Sequence, residues 1–156
     1  MVTTEQIWKL LNDVADPEIP VLSVLDLGIV RDVSVAEDKV RIVITPTYSG
    51  CPAMNTIEAD IREKIQNVAT VDIVTQLSPA WTTDWLTESG KQKLKDYGIA
   101  PPVEGGTGMF ESPQVSCPRC NSAHTKMLAQ FGSTACKSMY QCQDCFEPFD
   151  HFKCHR

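Results

Sequence analysis

The chain has 156 residues, of which 42% are apolar and 22% charged, and it carries a net charge of −6. These proportions lie near globular averages, so a buried core is expected and a disordered, collagenous or purely acidic solvating chain is excluded. The charge argues against nucleic acid as a partner, because phosphate-backbone binding needs clustered Lys and Arg. No stretch approaches the ~18 apolar residues of a membrane span, and Met1-Val2-Thr3-Thr4-Glu5 has neither the basic nor the apolar region of a signal peptide. A cytoplasmic protein with no membrane partner is therefore expected.

All seven cysteines lie from position 51 onward, six of them within the last forty residues. Residues 1–100 hold nine Lys or Arg against fifteen Asp or Glu, whereas residues 101–156 hold five of each. An uneven chain of this kind predicts two units. Ala100-Pro101-Pro102-Val103-Glu104-Gly105-Gly106-Thr107-Gly108 lacks periodicity, and its prolines and glycines disfavour regular structure. The expected organisation is a first domain over 1–100, a linker over 101–113 and a second domain over 114–156.

Ile7, Leu10, Leu11 and Val14 recur at helical spacing after Thr3 and Gln6, which suit a capping box, so a first helix is expected over about 4–14. Asp16-Pro17-Glu18-Ile19-Pro20 breaks it. Ile29, Arg31, Val33 and Val35 alternate, a polar turn follows at Ala36-Glu37-Asp38-Lys39, and Val40, Ile42 and Ile44 alternate again, which predicts a hairpin. Pro52 suits the first position of a second helix whose apolar face is Met54, Ile57, Ile61, Ile65 and Val68. A strand is expected at Val71, Ile73, Thr75 and Leu77, then a helix carrying Trp85, Leu86 and Leu94 that ends at Gly98. The order αββαβα predicts a small α+β domain.

Two features of this domain are candidates for chemistry. Cys51 sits where the hairpin hands over to a helix, where unpaired amides and the positive end of the helix dipole favour thiolate, fitting a nucleophile or a soft metal ligand. A small buried hydrophobe is the competing reading. Asp16 and Glu18 flank a proline that can hold both carboxylates on one rigid turn, although such a pair also serves as a plain helix stop. No Ser-His-Asp set can be assembled, because all three histidines lie in the second domain.

There, Cys117-Pro118-Arg119-Cys120 and Cys142-Gln143-Asp144-Cys145 are two CxxC knuckles separated by twenty-one residues. Paired knuckles supply the four thiolates of a structural zinc site, and Cys117, Cys120, Cys142 and Cys145 are the expected ligands. A redox disulfide or an iron centre is the alternative, but neither motif opens a helix in a βαβ unit. Met127–Phe131 and Ser138–Gln141 are expected strands of a short all-β ribbon. A unit of about forty residues buries too little to stabilise itself, so the metal should decide whether it folds. Cys136 and Cys154 lie outside the knuckles, either as small packed residues or as a second pair of thiols. His124, His151 and His155 are expected on the surface or in packing.

Asp16-Pro17-Glu18, Val24-Leu25-Asp26-Leu27-Gly28, Thr45-Pro46-Thr47, Gly50-Cys51-Pro52 and Pro79-Ala80-Trp81-Thr82 follow in order the pattern of the α+β domain of SufT-like iron–sulfur assembly factors, and residues 4–100 resemble that family. The tail, from Cys117-Pro118-Arg119-Cys120 through Phe131-Gly132-Ser133-Thr134-Ala135-Cys136-Lys137 to Glu147-Pro148-Phe149-Asp150-His151-Phe152-Lys153-Cys154, resembles the zinc-ribbon end of the PaaD family of bacterial phenylacetate degradation. The resemblance implies an accessory protein of the ring-1,2-phenylacetyl-CoA epoxidase, whose partners are an iron–sulfur flavin reductase and a diiron oxygenase. It implies assembly or maintenance of a metal centre, with Cys51 as the family's characteristic thiol, Asp16 and Glu18 in its acidic motif, and no activity of its own. One thiol cannot hold a cluster that wants four ligands. A transient iron or iron–sulfur unit would therefore draw on a homodimer's second Cys51, or on Cys136 and Cys154. A structural or regulatory subunit of the epoxidase is the alternative.

Overall fold

The computed structural model describes residues 1–48, 50–103 and 114–153. These form a mixed α+β structure with two sheets, divided into the compact units Met1–Gly90 and Lys91–Arg156.

In the first unit, α1 (Thr4–Asn12) opens with the expected capping box: the Gln6 amide donates to Thr3 Oγ1 at 3.2 Å and the Thr3 amide to Gln6 Oε1 at 2.9 Å. After the turn at Asp16, β1 (Val30–Ala36) and β2 (Lys39–Ile44) pair as the antiparallel hairpin, and Glu37 takes a positive φ of 54° at its tip. Helix α2 (Ala53–Ile65) follows, with Pro52 just outside it, and β3 (Thr70–Thr75) returns parallel to β2. The sheet order is β1-β2-β3. Val40, Ile42 and Ile44 of the central strand, with Ile57, Ile61 and Ile65 of α2, are fully buried, so the strand and helix periodicities do mark the core.

Three expectations need correction. Val68 lies past the end of α2 and is half exposed, because the chain has already turned there through the Val68 and Ala69 amides to the Ile65 carbonyl. Leu77 lies beyond β3 and is exposed. Trp85 and Leu86 precede the last helix: Thr83–Trp85 form a 3-10 turn and α3 runs Glu88–Tyr97, stopping at Gly98 with φ of 92°.

The loop before β1 is tied by reciprocal bonds. The Ser23 amide donates to Asp26 Oδ2 at 3.0 Å and the Asp26 amide to Ser23 Oγ at 3.1 Å, while the Thr87 amide donates to the Asp26 carbonyl at 2.9 Å. Trp81 is buried and donates its Nε1–H to the Leu27 carbonyl at 2.7 Å. Gly28 has φ of 70°, and a Cβ there would lie 2.3 Å from the Trp85 carbonyl oxygen, so this position needs glycine twice over.

The second unit contains a four-stranded sheet ordered β4-β7-β6-β5, from β4 (Ile99–Ala100), β5 (Thr125–Ala129), β6 (Lys137–Cys142) and β7 (Pro148–Phe152). β5 and β6 are the expected ribbon strands. β4 and β7 are additional, with Ile99 paired to Asp150 and Ala100 to His151, and residues 91–100 fall in the second unit. Most of the expected linker, at 104–113, lies outside the described residues. Ala100, Val115, Cys117, Tyr140, Cys142 and Phe149 form a buried cluster, within which Tyr140 stacks on Phe149 at 5.9 Å. Among the described residues no helix is long and apolar enough to cross a membrane.

Candidate functional site

The two knuckles of the second unit close on each other. Backbone bonds form each turn: the Asn121 amide donates to the Cys117 carbonyl at 2.9 Å, and the Cys142 amide to the Glu147 carbonyl at 3.0 Å. The residues that follow, Asn121 and Phe146, both take the left-handed conformation, with φ of 60° and 63°. As a result the sulfurs of Cys117, Cys120, Cys142 and Cys145 all lie within 4.8 Å of one another, with Cys117 to Cys145 at 3.7 Å and Cys120 to Cys142 at 3.5 Å.

A regular tetrahedron with zinc–sulfur bonds of about 2.3 Å has sulfurs about 3.8 Å apart. The geometry therefore fits a metal ion of that size and softness. The electrostatics agree. Four thiols this close cannot all ionise together: the Cys145 amide, which donates to Cys142 Sγ at 3.4 Å, heads the causes that bring Cys142 down to about 6. Against the Ser122 amide, the neighbouring Cys142 thiol pushes Cys120 up to about 12. A divalent cation removes this conflict by stabilising all four thiolates at once.

The surroundings differ on the two sides. Cys117 and Cys142 are buried in the apolar cluster, whereas Cys120 and Cys145 are exposed. On the exposed side Asp144 accepts a short hydrogen bond from the Ser122 hydroxyl, and His124 Nδ1 lies 3.6 Å from its other oxygen. The Ser122 hydroxyl, and then His124, hold Asp144 below the usual carboxylate range. Neither partner is legible in the sequence, since only the closed knuckles bring residues 122 and 144 together.

In the first unit Cys51 is half-buried in the turn that precedes α2, its amide donating to the Tyr48 carbonyl at 3.3 Å and its carbonyl accepting from the Met54 amide at 3.2 Å. Pro52 supplies no side-chain cap and the first turn of α2 has no acidic residue. Asp16 is buried, and its Oδ1 accepts from the Glu18 amide at 2.7 Å and the Ile19 amide at 2.9 Å, so one carboxylate oxygen shapes the turn that holds Glu18. Asp16 also lines a cleft of about 350 Å³ with Asp13, Asp60, Glu63 and Lys64, and neither Cys51 nor Glu18 is among its walls. Among the described residues the four knuckle cysteines are the one cluster of three or more potential metal ligands; Cys51, Asp16 and Glu18 do not form another.

Cys136 is buried just before β6, 3.1 Å from Thr134 Oγ1, and Cys154 lies outside the described residues. Of the histidines, His124 is exposed, His151 is buried on β7, and His155 lies outside the described residues.

Two family models match this chain: "Iron-sulfur cluster assembly protein" over residues 4–75 and "PaaD zinc beta ribbon domain" over residues 102–153. An Escherichia coli (strain K12) protein named as a component of 1,2-phenylacetyl-CoA epoxidase is 49% identical over 96% of this chain and 92% of its own. An Fe-S protein maturation auxiliary factor of Porphyromonas gingivalis is 38% identical, over 59% of this chain and 90% of its own. Solved structures of a DUF59 domain from Bacillus anthracis (TM-score 0.55, 25% identity, 58% of this chain and 89% of that one) and a conserved hypothetical protein from Thermotoga maritima (TM-score 0.52, 29% identity, 60% and 94%) are similar to it.

Proposed function

The chain belongs to the PaaD family, in which an iron–sulfur cluster assembly domain is joined to a zinc β-ribbon, and from that membership we propose that it is an accessory protein of iron–sulfur assembly serving the 1,2-phenylacetyl-CoA epoxidase system. The observation that carries the reading is the end-to-end match with the Escherichia coli epoxidase component, which spans both units, while a maturation factor matches little more than half of the chain. Its clients are the epoxidase components, an iron–sulfur flavin reductase and a diiron oxygenase, and it acts in the cytoplasm.

Cys51 is the transfer thiol. Its half-buried position in the turn before α2 keeps it reachable by a docked client. Asp16 builds the acidic turn that holds Glu18. A bound cluster takes further thiolates from a second copy. The ribbon holds one zinc on Cys117, Cys120, Cys142 and Cys145. When bound, that ion supplies cross-links rather than chemistry, replacing the core that so small a unit lacks.

Cys51→Ala tests the reading, since it removes the thiolate yet keeps a small residue. The expected result is an unchanged fold and zinc content, with most epoxidase activity lost because the client is under-loaded. Reductase and oxygenase with normal iron and sulfide in cells carrying Cys51→Ala would make Cys51 a packing residue and end the assembly assignment.

A further inference from the structure

The four-cysteine site has an inside and an outside. Cys117 and Cys142 are 1% and 0% exposed and share a buried cluster with Tyr140 and Phe149, whereas Cys120 and Cys145 face solvent. Each knuckle contributes one sulfur to each side. The contacts at 3.7 Å and 3.5 Å, Cys117 to Cys145 and Cys120 to Cys142, each join an inner sulfur of one knuckle to an outer sulfur of the other. The rim of the outer side carries Asp144, His124 and Phe146, all exposed, so among the described residues no apolar lid covers it.

From this we propose that the ribbon site is open on one side only: Cys120 and Cys145 are the pair through which metal enters and leaves and on which a thiol-bearing partner or thiol-directed reagent acts, while Cys117 and Cys142 form a sealed anchor. The physical basis is access. A sulfur can exchange its bond only when an incoming group reaches it, and burial among apolar side chains denies that approach. Because the outer pair spans both knuckles, an ion met from solvent is touched by both turns before the inner sulfurs close behind it. Loss of an outer bond frees one knuckle's edge while the other half of that knuckle stays packed in the cluster. The inference rests on the reading that these four thiols hold zinc.

Alkylation of the zinc-loaded full chain with iodoacetamide tests it. Each reaction forms one sulfur–carbon bond and expels one iodide, with no redox change, so no second reagent is involved. Zinc is measured first in the untreated protein. The time course is then followed by peptide mass mapping, which reads each cysteine separately from Cys51, and by a chromogenic chelator that reports released zinc. The expected result is that Cys120 and Cys145 acquire the label at least tenfold faster than Cys117 and Cys142, with zinc release tracking the outer pair. Equal labelling of inner and outer cysteines, or zinc release ahead of any label on Cys120 or Cys145, would overturn the one-sided site even though zinc is present. Untreated protein that holds no zinc would instead remove the reading on which the inference stands.

Discussion

His151 makes the second unit sensitive to acid over a defined range. It is 4% exposed on β7, with Tyr140 edge-on at 5.6 Å, Nδ1 3.3 Å from the Ser138 hydroxyl and Nε2 without a partner among the described residues. The described groups that face it are thus the Ser138 hydroxyl and the Tyr140 ring, with the Lys153 ammonium nearby. Burial first, and then Lys153, lower its pKa from 6.5 to about 4. In the unfolded chain the ring protonates near 6.5, so between those two values the unfolded state binds more protons and stability falls as pH falls. The neutral ring's contribution is complete above about pH 6.5, about 2 kcal/mol of it is lost by pH 5, and about 3 kcal/mol by pH 4. Chemical unfolding of the wild type and His151→Phe at matched zinc, at pH 7 and pH 5, measures this, because the thiols and their own pH dependence are common to both and cancel. The wild type should lose about 2 kcal/mol more than the variant between the two pH values. Equal losses, or a His151 ring that titrates near 6.5 by NMR, would refute the burial argument.

Three further outcomes follow from the geometry. Gly28→Ala should destabilise the first unit by about 2–4 kcal/mol in equilibrium unfolding, since it adds a left-handed strain to a Cβ lying 2.3 Å from the Trp85 carbonyl oxygen. Phe146→Asn should stabilise the second unit by about 0.5–1 kcal/mol with zinc content unchanged, because Phe146 is 68% exposed and adopts a φ of 63° that asparagine tolerates better. Stripping the metal with a chelator, or replacing Cys120 with serine, should leave residues 1–90 folded while 114–153 become protease-sensitive; a tail that stays resistant without metal would show that its sheet stands alone.

Local signals in the sequence are sufficient wherever one element explains itself. The capping box of Thr3 and Gln6, the alternation of Val40, Ile42 and Ile44 and the stripe of Ile57, Ile61 and Ile65 each depend on neighbours a few residues away, and each forms as expected. The knuckles are legible for the same reason, since a CxxC spacing already determines that two sulfurs share a turn. What is not legible depends on partners far along the chain. Ile99 and Ala100 are a strand only because Asp150 and His151 lie beside them, and two residues of alternation carry no periodicity. The spacing of Trp85 to Leu86 and Leu94 allows a helix, whereas its backbone is a 3-10 turn packed against Gly28, with its ring under the Arg31 guanidinium at 3.6 Å.

The same distinction governs the two candidate sites. At the knuckles the ligand set is complete within one unit, so the chemistry follows from the chain alone: four sulfurs at tetrahedral spacing need nothing from outside except the ion. At Cys51 the described residues form no cluster of three or more potential ligands, and Asp16 has already committed one oxygen to its own turn. A thiol so placed cannot retain a metal unit with the tenacity of a four-thiolate site. For a resident cofactor that would be a defect, but for transfer it is a requirement, because a carrier that bound its cargo through a full ligand set would hold it against the client. On the proposed reading, an incomplete site in the first unit and a complete one in the ribbon are therefore what a protein shaped by one metal and passing on another would need.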